Sequence, residues 1–132
     1  MSPKDQARHT VAHFMEVFSS GDAAATTALM TDDATWWVAG TTPISGTYDR
    51  AAFSRLLDSV NGHCTGPIRL SAQGWTIDGE RVAVEVESLT HTRSGRKYNN
   101  RYHFLFLLRG GKVAGVREYL DTMHAQSVFF AP

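Results

Sequence analysis

Residues 98–109 read YNNRYHFLFLLR, a stretch in which large apolar side chains recur at every second position. Side chains on a β-strand alternate between the two faces of a sheet, so this spacing predicts a strand. The even-numbered face is the more aromatic, and we expect it to pack against helices. It carries Asn100, Tyr102, Phe104, Phe106 and Leu108, and the opposite face carries Arg101, His103, Leu105, Leu107 and Arg109.

The segments on either side predict further long strands joined by tight turns. Asp78-Gly79, Ser94-Gly95 and Gly110-Gly111 are residue pairs typical of short hairpin connections. They divide the second half of the chain into strands at 68–77, 81–92, 98–109 and 113–120. Strands joined by such short turns are antiparallel neighbours.

The first half of the chain predicts three helices and one strand. Ser2-Pro3 begins a helix that runs to residue 20, Asp22 caps a short second helix, and Asp49 caps a third that ends at Asn61-Gly62. Apolar residues at helical spacing give the first and third helices one stripe each: Val11, Phe14, Met15 and Phe18, then Phe53, Leu56, Leu57 and Val60.

A strand with Trp36 and Val38 on one side precedes the third helix, and residues 40–48 carry Gly and Pro punctuation typical of a loop. This order of elements predicts an α+β fold: a curved mixed, mostly antiparallel sheet wrapped around the three N-terminal-half helices as a cone-shaped half-barrel. Without a linker or internal repeat, residues 1–132 are expected to form a single domain. The outer face of the sheet is also partly apolar, which favours a homodimer through that face.

Composition argues against several functional classes. The 132 residues include 13 basic and 13 acidic side chains and have no formal net charge, so nothing indicates binding to nucleic acid or an anionic membrane. A single cysteine, Cys64, and the absence of an apolar leader or spanning segment favour a cytoplasmic protein. His9, His13 and Glu16 share a helix face, but that face is polar and lacks a closed ligand shell, so no metal is expected.

The last predicted strand contains an unusual carboxylate. In VREYLD, residues 116–121, Glu118 shares a face with Val116 and Leu120. A carboxyl in a dry pocket has a raised pKa and can transfer protons near neutral pH. An ion pair between Glu118 and an arginine on a neighbouring strand is the alternative, and the residues alone leave both open.

The carboxy-terminal half resembles the SnoaL-like polyketide cyclase and limonene-epoxide hydrolase branch of the nuclear transport factor 2-like superfamily, which also includes ketosteroid isomerases. The resemblance lies in a Tyr-x-Asn-x-Tyr-x-Phe-x-Phe pattern at 98–106 and an Arg-Glu-Tyr-x-Asp pattern at 117–121. Asp-Asp-Ala-Thr-Trp at 32–36 and Gly-Thr-Tyr at 46–48 extend it over nearly the whole chain.

This resemblance implies candidate catalytic positions. The Arg-x-Asp pair and final Asp of the epoxide hydrolases fall on Glu85, Glu87 and Glu118, so the arginine between the acids is replaced. The tyrosine and base of the ketosteroid isomerases fall on Phe14 and on Val38 or its neighbours, which cannot move a proton. The cyclase branch is therefore the best match, with Glu118 as its acidic residue and Glu87 assisting.

Periodicity and resemblance disagree over strand 81–92. Periodicity buries Val82, Val84 and Val86, whereas the resemblance turns Glu85, Glu87 and Leu89 inward, and we follow the resemblance. Asn100 and Tyr102 are then either hydrogen-bond donors to a substrate or buried links between strands. The expected pocket residues are Asn100, Tyr102, Trp36, Phe14, Phe18, Phe53, Leu89, Phe104 and Leu120, although Trp36 also suits a purely structural core position.

Two functions follow as hypotheses. The first is a cofactor-free enzyme of the cyclase, isomerase or hydrolase type that acts on a small apolar, oxygen-bearing molecule through Glu118. The second is a non-catalytic module that binds a small ligand or dimerises.

Overall fold

Four helices and seven strands make up the computed structural model, which describes residues 1–132. The helices are α1 (Pro3–Phe18), α2 (Ala23–Ala28), α3 (Arg50–Gly62) and α4 (Thr122–Phe129). The strands are β1 (Met30–Val38), β2 (Gly46–Asp49), β3 (Arg69–Asp78), β4 (Arg81–His91), β5 (Lys97–Tyr98), β6 (Arg101–Arg109) and β7 (Lys112–Leu120).

The strands form one open sheet in the order β2-β1-β7-β6-β4-β3, with β5 paired to the end of β4. Every pairing is antiparallel except that of β1 with β7, which are far apart in the chain and run parallel. This arrangement confirms the predicted α+β fold with a mixed, mostly antiparallel sheet. No helix is long and apolar enough to cross a lipid bilayer.

The main core lies between the helices and the inner face of the sheet. The apolar stripes of α1 and α3 supply Phe14 and Phe53, and the sheet supplies Trp36 and Phe104. The Trp36 ring stacks on Phe53 with 4.0 Å between centroids and meets the edge of Phe104 at 5.9 Å. Such aromatic pairs add about 0.5–1.5 kcal/mol each beyond the area that they bury. The even-numbered face of β6 is therefore the inner face, as predicted.

Two local predictions were wrong. Residues 46–48, expected in a loop, form β2 together with Asp49, because Tyr48 and its neighbours pair with the free edge of β1. The stretch 98–109 is two strands, because the Asn100 side chain accepts the Arg101 backbone N–H at 2.7 Å and interrupts the regular pairing. Beyond β7 the chain forms the eight-residue helix α4, whose first turn is capped by the Asp121 carboxylate.

Helix α3 depends on its N-terminal cap. The Asp49 carboxylate accepts the Ala52 N–H at 2.7 Å, and we expect Asp49→Ala to lower the free energy of unfolding by about 1 kcal/mol, the usual cost of losing such a cap. Urea denaturation measures this change. Asp58→Ala, on the exposed side of the same helix, is the control and should stay within about 0.5 kcal/mol of the parent. Equal losses in the two variants would contradict the capping role.

Candidate functional site

A cavity of about 130 Å³ lies between α3, α4 and the inner face of the sheet. Twelve of its 15 lining residues are hydrophobic, and Glu118 is its only carboxylate. An engineered cavity of roughly 150 Å³ with apolar walls is large enough for benzene, so this cavity suits a compact ligand. Its walls include Phe18 from α1, Phe53 and Leu57 from α3, and Phe129 from α4.

The β7 register directs the Glu118 side chain into this cavity. Glu118 lies opposite Phe104 on β6 and Val38 on β1, and all three belong to the inner face. The Trp36 indole Nε1–H donates to Glu118 Oε1 at 2.9 Å. No other hydrogen bond to this carboxyl is present, and its second oxygen is not sealed off from the cavity.

Burial controls the charge of Glu118. Removal from water raises its pKa to about 7, although the hydrogen bond from Trp36 favours the ionised form. The ion pairs of the protein are Arg50–Asp32, Arg101–Glu87 and Arg109–Asp33, so no basic side chain neutralises Glu118. This excludes the alternative in which an arginine pairs with Glu118.

Two tyrosines stand beside this carboxyl. The hydroxyl groups of Tyr98 and Tyr102 are hydrogen-bonded to each other, and both residues line the cavity. Burial raises the pKa of each phenol, and the nearby Glu118 carboxylate raises it further. Tyr102 is a diagonal neighbour of Glu118 across β6 and β7, within reach of long side chains. Both tyrosines therefore remain neutral hydroxyl groups at physiological pH.

Asn100 is buried next to the tyrosines and does not line the cavity. Its amide group bonds to the Tyr98 hydroxyl and to the backbone of Asp121, joining the start of β6 to the end of β7. Of the two roles left open for Asn100, the structural link between strands is the one that these contacts support.

The structure corrects the predicted roles of Glu87 and Leu89. Val86 of β4 pairs with Tyr102 of β6, and paired residues share a face, so the valines of β4 point inward and its odd-numbered residues point outward. Glu87 forms an ion pair with Arg101 on the outer face, and Leu89 is 43% exposed. At this strand the periodicity was right, and the inward placement of Glu87 and Leu89 implied by the resemblance was wrong. Glu118 consequently has no carboxylate partner.

The remaining predicted pocket residues divide into two groups. Phe18, Phe53 and Tyr102 line the cavity, while Phe14, Trp36, Phe104 and Leu120 lie behind this lining and pack against it. Trp36 is a core residue that is only 1% exposed, but its indole N–H also contacts the Glu118 carboxyl.

Sequence reasoning missed several cavity residues. Tyr98 belongs to the 98–106 pattern but is not among the predicted site residues, Ile44 lies in the predicted loop, and Phe129 and Phe130 lie beyond the last predicted strand. His63, also at the cavity, holds its Nδ1 2.7 Å from the Ser59 carbonyl oxygen at the end of α3. The apolar run Val128–Phe130 was the available signal, since a terminal segment buries such residues only against a partner surface.

Comparison with known proteins identifies the family. Residues 11–116 match the family model described as the SnoaL-like domain, and this protein belongs to that family. No curated protein sequence matches the chain at a significant level.

Solved structures show the same fold at low sequence identity. The chain is similar to PrhC from Penicillium brasilianum, with a TM-score of 0.88, 16% identity, and coverage of 96% of this chain and 87% of that one. The chain is also similar to the BvnE pinacolase from Penicillium brevicompactum, with a TM-score of 0.85, 11% identity, and coverage of 94% of this chain and 88% of that one. For an NTF2-like protein from Anabaena variabilis the TM-score is 0.75 and the identity 22%, with coverage of 89% of this chain and 90% of that one. The fold is thus the NTF2-like α+β fold predicted from the sequence.

The raised pKa of Glu118 predicts a specific pH dependence of stability. Between the ordinary pKa of 4.5 and the folded pKa of about 7, the native state binds more protons than the unfolded chain, so stability falls as pH rises through this window. Glu118→Gln removes this penalty and still accepts the Trp36 N–H. We expect the variant to match the parent near pH 4 and to exceed it by up to about 3 kcal/mol above pH 8.

Urea denaturation across this pH range measures the effect. Glu87→Gln, on the outer face, is the matched control and should show no such gain with pH. A Glu118→Gln protein whose stability runs parallel to that of the parent from pH 4 to pH 9 would contradict a buried carboxyl with a raised pKa.

Proposed function

We propose that this protein binds a small, mostly apolar molecule that carries one or two oxygen atoms and catalyses cofactor-free proton transfer on it, with Glu118 as the proton-transfer group. One observation carries the proposal: an apolar cavity contains a single carboxyl without a basic partner, whose pKa burial raises to about 7. Groups with a pKa near the working pH are the most effective acids and bases.

The surroundings of Glu118 suit a group that gains and loses a proton. The Trp36 N–H holds Oε1 in place and stabilises the ionised carboxylate, and Glu118 lines the ligand space. The ionised form takes a proton from the bound molecule, and the protonated form returns it to another atom of the same molecule. This cycle needs no redox change, which is consistent with isomerisation, cyclisation or addition of water.

Membership of the SnoaL-like family and the structural likeness to a pinacolase support this class of chemistry by analogy. The missing second carboxylate in the cavity favours the isomerase and cyclase types over a hydrolase that uses a pair of acids.

A non-catalytic role as a small-ligand-binding or dimerisation module is the second candidate. An apolar cavity with few polar groups also suits a protein that only binds a small ligand, and the partly apolar outer face of the sheet suits a homodimer. On that face the Arg117 guanidinium lies 4.2 Å over the Trp37 ring, and Tyr119 beside it is 41% exposed. Such clusters of aromatic residues and arginine are enriched at protein interfaces.

Turnover tests the first candidate. Purified protein is screened against compact enones, epoxides and lactones, and the best substrate is used to compare variants. We expect Glu118→Gln to lower kcat/KM by about 10²–10⁴-fold, the usual contribution of an acid or base group, and Glu87→Gln to leave it unchanged. For a reaction limited by proton abstraction, kcat/KM should rise with pH through about 7, as Glu118 ionises.

A fully active Glu118→Gln variant would eliminate Glu118 as the proton-transfer group. If no compound in the screen is converted but some bind in the cavity, the non-catalytic binder becomes the better description.

A further inference from the structure

The orientation of the Asn100 amide is fixed by its backbone contacts. One amide atom lies 2.7 Å from the Arg101 backbone N and 3.1 Å from the Asp121 backbone N. A backbone N–H can only donate, so this atom is the oxygen, Oδ1. The other amide atom is Nδ2, a donor, which lies 3.0 Å from the Asp121 carbonyl oxygen and 3.0 Å from the Tyr98 hydroxyl.

This orientation determines where the Tyr98 proton goes. The Tyr98 oxygen accepts a hydrogen bond from Asn100, and its one other partner is the Tyr102 hydroxyl. One of the two hydroxyl protons must find its acceptor outside the pair. Tyr98 is only 2% exposed, so an unpaired proton there would be costly, whereas the less buried Tyr102 can direct its proton into the cavity. Tyr98 therefore donates to Tyr102.

In this arrangement the Tyr102 hydroxyl proton is hydrogen-bonded neither to Tyr98 nor to the Asn100 amide. The Ser88 hydroxyl beside it accepts the Asn100 backbone N–H at 3.0 Å, and its hydrogen bond with Tyr102 lowers the pKa of the phenol, which is the effect of a donor to the Tyr102 oxygen and not of an acceptor. Tyr102 lines the cavity next to Glu118, and its phenol stays neutral. A neutral hydroxyl that already accepts a hydrogen bond is a stronger donor, because hydrogen bonds in a chain polarise one another.

We propose that Asn100, Tyr98 and Tyr102 form a one-way chain of hydrogen bonds that presents the Tyr102 hydroxyl proton to an acceptor oxygen, such as a ketone carbonyl, of the ligand bound beside Glu118. Tyr102 is the group that contacts the ligand, while Asn100 and Tyr98 act through it as positioning residues. This inference rests on the proposed ligand site but not on any turnover there, and it assigns the class of ligand: compact molecules with a carbonyl or similar acceptor oxygen.

A pair of ligands with nearly the same shape tests the chain. Cyclohexanone carries an acceptor oxygen, and methylenecyclohexane carries a CH₂ group in its place. The ratio of their dissociation constants measures the contribution of the hydrogen bond from Tyr102 to the ketone oxygen. The infrared C=O stretch of bound ¹³C-labelled cyclohexanone reports the strength of that hydrogen bond directly. A general loosening of the fold would weaken the binding of both ligands alike and would leave the ratio of their dissociation constants unchanged.

Three variants interrupt the chain at different points. Tyr102→Phe removes the donor, and we expect the preference for cyclohexanone to fall by about five- to tenfold, with loss of the infrared shift. Asn100→Asp, measured near pH 9, replaces the Nδ2 donor with a carboxylate oxygen that accepts from Tyr98. Tyr102 then donates back to Tyr98, and the loss should match that of Tyr102→Phe.

Tyr98→Phe keeps the ring that stacks on His124 but removes the polarising hydroxyl. This variant should lose about two- to threefold of the preference for cyclohexanone, less than Tyr102→Phe loses, and should show a reduced infrared shift. Tyr119→Phe on the outer face is the matched control and should leave both measurements unchanged.

The result that overturns the chain is a Tyr98→Phe or Asn100→Asp protein with the parent's ligand preference and infrared shift. If Asn100→Asp does not fold, Tyr98→Phe decides alone. A parent that binds cyclohexanone undetectably, or with no greater preference than Tyr102→Phe, overturns the donor role of Tyr102. These measurements concern binding alone, so neither ligand needs to react. They therefore test the hydrogen-bond chain even if Glu118 transfers no proton.

Discussion

The cavity is organised around one buried contact, the hydrogen bond from the Trp36 indole to the Glu118 carboxyl. An unpaired carboxylate in an apolar cavity is costly, and the protein meets that cost with one neutral donor and a raised pKa instead of an arginine. A salt bridge would have kept Glu118 ionised and chemically idle. A single indole N–H holds the group in place and leaves its protonation free to change.

The sheet register determines which residues can join this contact. Side chains alternate along every strand, so a shift of one residue between β4 and β6 would exchange the buried valines for Glu85 and Glu87. The observed pairing of Val86 with Tyr102 places both glutamates outside and leaves the cavity with one acid. The number of carboxylates in the cavity thus follows from register.

The second polar element of the site comes from a break in the sheet. Asn100 interrupts the strand between β5 and β6, and its amide satisfies backbone groups that regular pairing would otherwise engage. The same interruption brings the Tyr98 hydroxyl against Tyr102 and lets α4 pack across the end of the sheet, where Tyr98 meets Ala125 and Val128. One local irregularity therefore supports the tyrosine pair and also one wall of the cavity.

The sequence by itself determined the types of the long helices and strands, the inner face of β6 and the inward position of Glu118, because alternating apolar residues and helix caps are local signals. Tertiary structure alone decided that Asn100 links strands and that α4 and Tyr98 help to enclose the cavity. These features depend on register and on contacts between distant segments. No local pattern encodes them, because the same residues in another register would meet different neighbours.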